Sequence, residues 1–224
     1  MNPRILCAVA SVFFASGSLW GADAVLIQFE RNRELLNPVG IEFFEGDAPK
    51  HAENFKKLVQ KGFYKGLSVH RVLPGTLIQL GDPLSRGAEK ADLGTGGPGY
   101  TIPAEIRRKH TRGAVGMGRL PDAVNPARLS NGSQFYVALK PLAELDGVQT
   151  VFARVFEGLE VLDGIGGAAT DTNDSPVQRV VVKRAVVVSG EAVSKELNAM
   201  KEAAARKGPV SLWRRAAVWL HLLS

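Results

Sequence analysis

Residues 68–82 read S-V-H-R-V-L-P-G-T-L-I-Q-L-G-D. Two apolar runs flank Pro74-Gly75, a dipeptide that marks a chain reversal, so the stretch predicts an antiparallel hairpin. Pairing about Gly75 sets Val69 against Gly81, Arg71 against Gln79 and Leu73 against Leu77. Residues directly opposite in an antiparallel pair share a face. An arginine and a glutamine therefore stand together among Val, Leu and Ile. The plain alternative is an arginine on a half-solvated strand face.

The pattern on either side is also rich in strands. Ala24 to Glu30 (A-V-L-I-Q-F-E) and Gly40 to Glu45 (G-I-E-F-F-E) read as two strands separated by Asn37-Pro38. Asp47 is placed to cap a helix with Pro49 in its first turn. Ala52, Phe55, Leu58 and Val59 then recur at helical spacing until Gly62. Further strands follow near Ala114, from Gln134, from Thr150 and at V-V-V-K-R-A-V-V-V. One long helix among so many short strands predicts a closed antiparallel barrel rather than a doubly wound sheet. In the strand from Gln134, Tyr136 takes one face while Phe135 and Val137 take the core face. After Gly190 the composition shifts to Ala, Glu and Lys, which predicts a surface helix or linker over Glu191 to Lys207.

The 224 residues suffice for one domain with a sizeable core plus appendages. Met1 to Arg4 is a short positive start, Ile5 to Trp20 is almost wholly apolar, and Ala22-Asp23-Ala24 fits a cleavage site. This layout predicts a secretory signal over residues 1–24; a membrane anchor is the alternative, although the run is short for a span. The expected location is outside the cytoplasm, periplasmic or secreted. The single cysteine, Cys7, lies in that segment, so the mature chain has no thiol for a disulfide, nucleophile or metal. The net charge of +6 is not organised into a basic groove with interleaved aromatics, which argues against nucleic acid.

Several short motifs carry no chemistry in this context. Gly94-Thr95-Gly96-Gly97-Pro98-Gly99 fits G-x-G-x-x-G, but a dinucleotide site needs a helix opening from it, and Pro98 and Pro103 predict a loop. Asn131-Gly132-Ser133 is a glycosylation sequon only in a host that glycosylates. Asp171-Thr172-Asn173-Asp174 lacks the glycine and glutamate of a calcium loop. The four histidines show no metal-ligand spacing.

Four stretches occur in order: V-H-R-V-L-P-G-T-L-I-Q-L-G-D, G-T-G-G-P-G-Y, N-G-S-Q-F-Y and L-D-G-V-Q-T-V-F-A-R-V-F-E-G-L-E-V-L-D-G-I. Together they resemble the cyclophilin-type peptidyl-prolyl isomerases, over roughly Val25 to Ser189, in an exported, bacterial-like form. The resemblance implies a mainly β fold, a closed eight-stranded antiparallel barrel capped by helices, over residues 25–190. A helical C-terminal extension would occupy 191–224.

The activity it implies is rotation about the bond preceding proline, whose barrier of about 18–20 kcal/mol is amide resonance. No bond is broken, so no cofactor is expected. By the resemblance, Arg71 is the arginine that localises the proline nitrogen lone pair, and Gln79 is its natural holder. Leu77, Met117, Tyr136 and Leu145 would line the proline pocket, while Gly118, Arg119 and Gln134 would border the substrate backbone. Three positions depart from the family: Thr76 stands where phenylalanine is usual, Gln149 where histidine is frequent, and Arg119 where asparagine is frequent. The segment Gly118 to Leu129 is longer than in compact members. The expected partners are proline-containing, unfolded or flexible polypeptides, bound by a monomer. A non-enzymatic proline-binding chaperone or scaffold is the alternative, and Thr76 is the feature in its favour.

The last fifteen residues form a basic amphipathic pattern. At 100° per residue, Leu212, Trp213, Ala216, Ala217, Trp219, Leu220 and Leu223 share one arc, with Arg214 and Arg215 opposite. Such a segment is too short to span a bilayer; it suits peripheral membrane contact or folding back onto the domain.

Overall fold

The computed structural model describes residues 23–87 and 92–207. The signal segment, apart from Asp23 and Ala24, and the tail from Val210 lie outside the described residues. The elements are β1 (Ala24–Arg31), β2 (Glu34–Leu35), β3 (Val39–Phe43), α1 (Pro49–Gln60), β4 (Arg71–Leu73), β5 (Leu77–Leu80) and β6 (Thr101–Ile102). They continue with β7 (Ala114–Met117), β8 (Ser130–Asn131), β9 (Phe135–Ala138), β10 (Val151–Glu157), α2 (Leu159–Gly166), β11 (Val180–Val188) and α3 (Val193–Lys207).

Eight strands form one antiparallel path in the order β11-β1-β3-β10-β7-β9-β5-β4, with β2 beside β1, and β6 and β8 pair separately. Register shifts in β1 at Gln28/Phe29 and in β10 at Val151/Ala153 and Val155/Glu157 add local twist, which curls the sheet. The expected closed barrel is not what forms. The end strands β11 and β4 do not pair, because the chain entering β4 changes partner. Gly66, Leu67 and Val69 bond to the backbone of Val182 and Val180, and Ser68 bridges Val181. His70 N–H then donates to Gln79 O on β5. Val69 consequently lies along β11 and not opposite Gly81 as the hairpin register predicts. The remainder of that register holds: Arg71 faces Gln79 and Leu73 faces Leu77. Pro74 and Gly75 make the turn, with Gly75 at φ +62 and Thr76 N–H donating to Leu73 O at 2.9 Å.

Ile27, Phe29, Phe55, Ile78, Val115, Phe135, Val137 and Phe152 fill the interior of the curl. α1 closes it, and Phe55 packs edge-on against Phe135 with centroids 4.9 Å apart. The N-terminus of α1 is satisfied differently from expectation. Asp47 pairs with Arg108, and the N–H groups of Lys50 and His51 donate to the Glu105 carboxylate. α2 was not evident as a separate helix in the sequence; it is only two turns long and buries Leu162 and Ile165.

The uniformly apolar β1 has both faces covered. Val25 and Ile27 point into the curl, while Ala24 and Leu26 pack with Val188, Val193 and Met200 beneath α3. Gln28, buried on that second face, donates to Leu36 O and to Met200 O at 3.0 Å. The Ala/Glu/Lys segment is thus a docked helix rather than a free linker.

Candidate active site

Three registers compose into one row across four adjacent strands. Arg71 on β4 faces Gln79 on β5, Gln79 faces Tyr136 on β9, and Tyr136 faces Gly116 on β7. Cross-strand partners share a face, so this row stands on the outer side of the sheet, opposite Phe135 and Val137. The alternation read from Q-F-Y-V fixes which residues belong to it.

Arg71 is exposed, and its Nε lies 3.4 Å from Asp174 Oδ2. Asp174 sits at φ +60, and its carbonyl accepts the Val72 N–H at 2.7 Å, which pins it beside β4. The expected holder, Gln79, is engaged elsewhere: its Nε2 donates to Gln134 Oε1 at 2.9 Å. Gln134, itself buried, donates to Gly94 O and Gly96 O at 2.8 and 2.7 Å. The glycine-rich 94–99 run is therefore a loop held by an amide chain. The Nε contact of Arg71 leaves four further N–H donors on its terminal nitrogens.

His70, beside Arg71, is buried; its backbone is bonded to Gln79 O and Ser175 Oγ, while neither ring nitrogen makes a hydrogen bond of ordinary geometry among the described residues. Burial lowers its pKa from 6.5 to about 4, although the Asp82 carboxylate opposes the shift. The imidazole is neutral at physiological pH and adds no charge to compete with the guanidinium. His70, Arg71, Gln79, Leu93, Gly94 and Asp174 line a polar cavity of about 450 Å³.

Leu77, Tyr136 and Leu145 gather in one apolar cluster with Leu73, Ala138, Leu142 and Phe44. Met117 does not join them. It faces Phe135 and is fully buried in the interior of the curl, so it supports the core and not the outer pocket. Gly116 is required by the Tyr136 ring: a Cβ there would lie 2.3 Å from the phenol oxygen. Thr76 is half-buried, its hydroxyl donating to Pro74 O at 3.3 Å.

Gly118, Gln79, Gln134 and Thr101 border a second cavity of about 250 Å³, which shares Gln79 and Gly94 with the first. Its far wall is Leu120, Val124 and Leu129 of the long 118–129 segment. Arg119 lines this cavity, but its guanidinium is spent on the fold. It donates to Val148 O and Leu120 O and pairs with Asp122 at 2.6 Å. Arg128 grips the same carboxylate at 3.0 Å. Hydrogen bonds from Arg119 and Arg128 hold the Asp122 carboxyl below its ordinary value. Gln149 follows the Leu145 turn, with its N–H donating to Leu145 O at 3.1 Å.

Two further groups had no signal in the sequence pattern. Tyr136 Oη lies 2.7 Å from His110 Nε2, and His110 Nδ1 lies 3.0 Å from Asp146 Oδ1. Burial pushes the Tyr136 phenol well up, so it remains protonated. The backbone and ring N–H groups of His110 hold the Asp146 carboxyl below its usual range.

Residues 26–187 match the family model of the cyclophilin type peptidyl-prolyl cis-trans isomerase/CLD. The chain belongs to this family. It is 39% identical over 150 residues to peptidyl-prolyl cis-trans isomerase-like 1 of Aspergillus oryzae, covering 66% of this chain and 88% of that one. It is 39% identical over 127 residues to peptidyl-prolyl cis-trans isomerase B of Bacillus subtilis, covering 55% and 80%. A cyclophilin type isomerase of Cryptosporidium parvum, crystallised in the presence of the dipeptide Ala-Pro, superposes with a TM-score of 0.62 at 27% identity, over 74% of this chain and 99% of that chain. The curled antiparallel sheet with its helices is accordingly the cyclophilin-like fold.

Proposed function

We propose that Arg71 is the catalytic residue of this prolyl isomerase, acting from its terminal nitrogens on the proline nitrogen. Donation there favours a localised lone pair and weakens the amide resonance that makes the barrier. Gln79 and Gln134, locked together and to the 94–96 loop, offer a rigid polar border to the substrate backbone. Leu77, Tyr136 and Leu145 grip the proline ring, and Gly118 leaves room for the peptide. Electrostatics preorganised in this way typically contribute about 3–4 kcal/mol per donor. The observation that carries the reading is the Arg71–Gln79–Tyr136–Gly116 row, which sets a cation, an amide and an apolar wall side by side.

The ligand class is a proline-containing peptide, the chemistry of the Ala-Pro present with the Cryptosporidium relative. The apolar N-terminal segment supports export, with clients that fold in the periplasm or outside the cell. Slow X-Pro isomerisation, taking tens to hundreds of seconds, limits such folding. We take the chain to act as a monomer, with its amphipathic tail touching anionic membrane surfaces.

Thr76 favours a second reading, a module that grips proline segments without turning them over. Refolding of a model protein with a proline-limited slow phase separates the two. Catalytic amounts of the protein should accelerate that phase. Slowing, or acceleration only at stoichiometric amounts, would favour the binding module.

A further inference from the structure

His110 is buried, with no exposed side-chain surface, and joins Tyr136 on one side of the apolar pocket to the 142–146 turn that carries Leu145 on the other. Its Nε2 meets the Tyr136 hydroxyl on β9 at 2.7 Å. Its backbone N–H donates to Asp146 Oδ1 at 2.7 Å, beside the Nδ1 contact, and its carbonyl accepts the Leu142 N–H at 2.9 Å. Leu142 and Asp146 bracket Leu145, which forms the opposite wall. The imidazole also lies nearly parallel to the Tyr136 ring, at 11° with centroids 5.9 Å apart.

The proton arrangement follows from the partners. A carboxylate only accepts, so Nδ1 carries a proton; in the neutral ring Nε2 is then the acceptor and the phenol O–H donates. Swinging the Tyr136 ring away would leave two buried polar atoms unpaired, which is the expensive outcome for a hydrogen bond. Gly116 supplies the space that lets the ring lie in this position.

We infer that His110 is a positioning residue that sets the distance between Tyr136 and Leu145, and thereby the size of ring the pocket accepts. The inference rests on the pocket reading above. The strut acts through Tyr136 and Asp146 and never touches the substrate. Its loss should therefore change the selection between rings more than the chemistry of rotation.

The test compares two peptides that differ only in the ring, X-Pro and its six-membered homologue X-pipecolyl, by exchange NMR on the full chain. The wild type should turn over the proline peptide faster. His110→Phe fills the space without the bonds, and should lower the proline rate roughly two- to tenfold while lowering the homologue's rate less. Tyr136→Phe should narrow the ratio in the same way, and the double variant should narrow it no further. Asp146→Ala, at a partly exposed site that is safer for folding, should act in the same direction. Leu145→Ala cuts the wall itself and is the control. A narrowed ratio in Leu145→Ala with an unchanged ratio in His110→Phe and Asp146→Ala would overturn the strut alone. An unchanged ratio in all of them would overturn the pocket reading, and the strut with it.

Discussion

Replacing His70 by glutamine should flatten the loss of stability between pH 6.5 and pH 4. Burial lowers the imidazole's pKa to about 4 in the folded protein, whereas the unfolded chain titrates near 6.5. Within that window the unfolded state binds a proton that the folded state refuses, so stability falls as the pH falls. The drop from 6.5 to about 4 corresponds to about 3 kcal/mol when complete. His51, also lowered by burial against the opposing pull of Glu105, adds a share with the same sign. The carboxyl of Glu105, lowered by His51 and Lys50 hydrogen bonds despite burial, stabilises the fold in full only above its unfolded value of 4.5, and it is common to wild type and variant. Its contribution is lost as the pH falls through its folded value. Urea unfolding at pH 7, 5.5 and 4 reads the slope, whatever the substitution costs at neutral pH. Equal slopes in wild type and His70→Gln would refute the argument, because a solvated imidazole would then be titrating normally in the folded state.

Thr76→Phe should raise kcat/KM on short proline peptides about threefold to tenfold, since a buried phenylalanine is worth roughly 1.5–3 kcal/mol and part of this ring stays in water. An unchanged or lower value with the fold intact would mean that the pocket has no vacancy at this wall. Asp174→Asn should alter the isomerisation rate by no more than about fivefold, because an exposed ion pair is worth about 0–1 kcal/mol. A collapse to the level of an arginine deletion would make Asp174 indispensable. Anionic vesicles should bind the full chain and not a chain ending before Val210, with isomerisation equal in both; equal binding by the two would remove the membrane role of the tail.

The hairpin at Pro74-Gly75 was legible because its turn chemistry and its alternation agree, and both depend on residues a few positions apart. The same local logic separates Tyr136 from Phe135 and Val137. It fails at Val69, where the backbone leaves β5 for β11: a strand's change of partner depends on residues 180–182, more than a hundred positions away. Met117 is a failure of phase. Which face it takes is set by its register against Phe135, and a four-residue strand with two glycines around it carries no alternation to read. Asp174 and His110 reach the site from loops, one beside β4 and one beneath Tyr136, and only tertiary packing brings them there. The open sheet has a similar origin, since the residues that bond to β11 are 66–69, which precede β4, and not β4 itself.

The central claim is that one guanidinium on the outer face lowers the barrier to rotation. Exchange NMR on a short Ala-Pro-containing peptide measures the catalysed cis–trans rate and the peptide affinity in the same sample. Arg71→Ala should lose about 100-fold or more of the rate, the effect expected for one preorganised donor, while still binding the peptide and unfolding at the same urea concentration. Arg71→Lys should not restore the rate, because a point charge lacks the planar fork. A rate within threefold of wild type in Arg71→Ala would contradict the account.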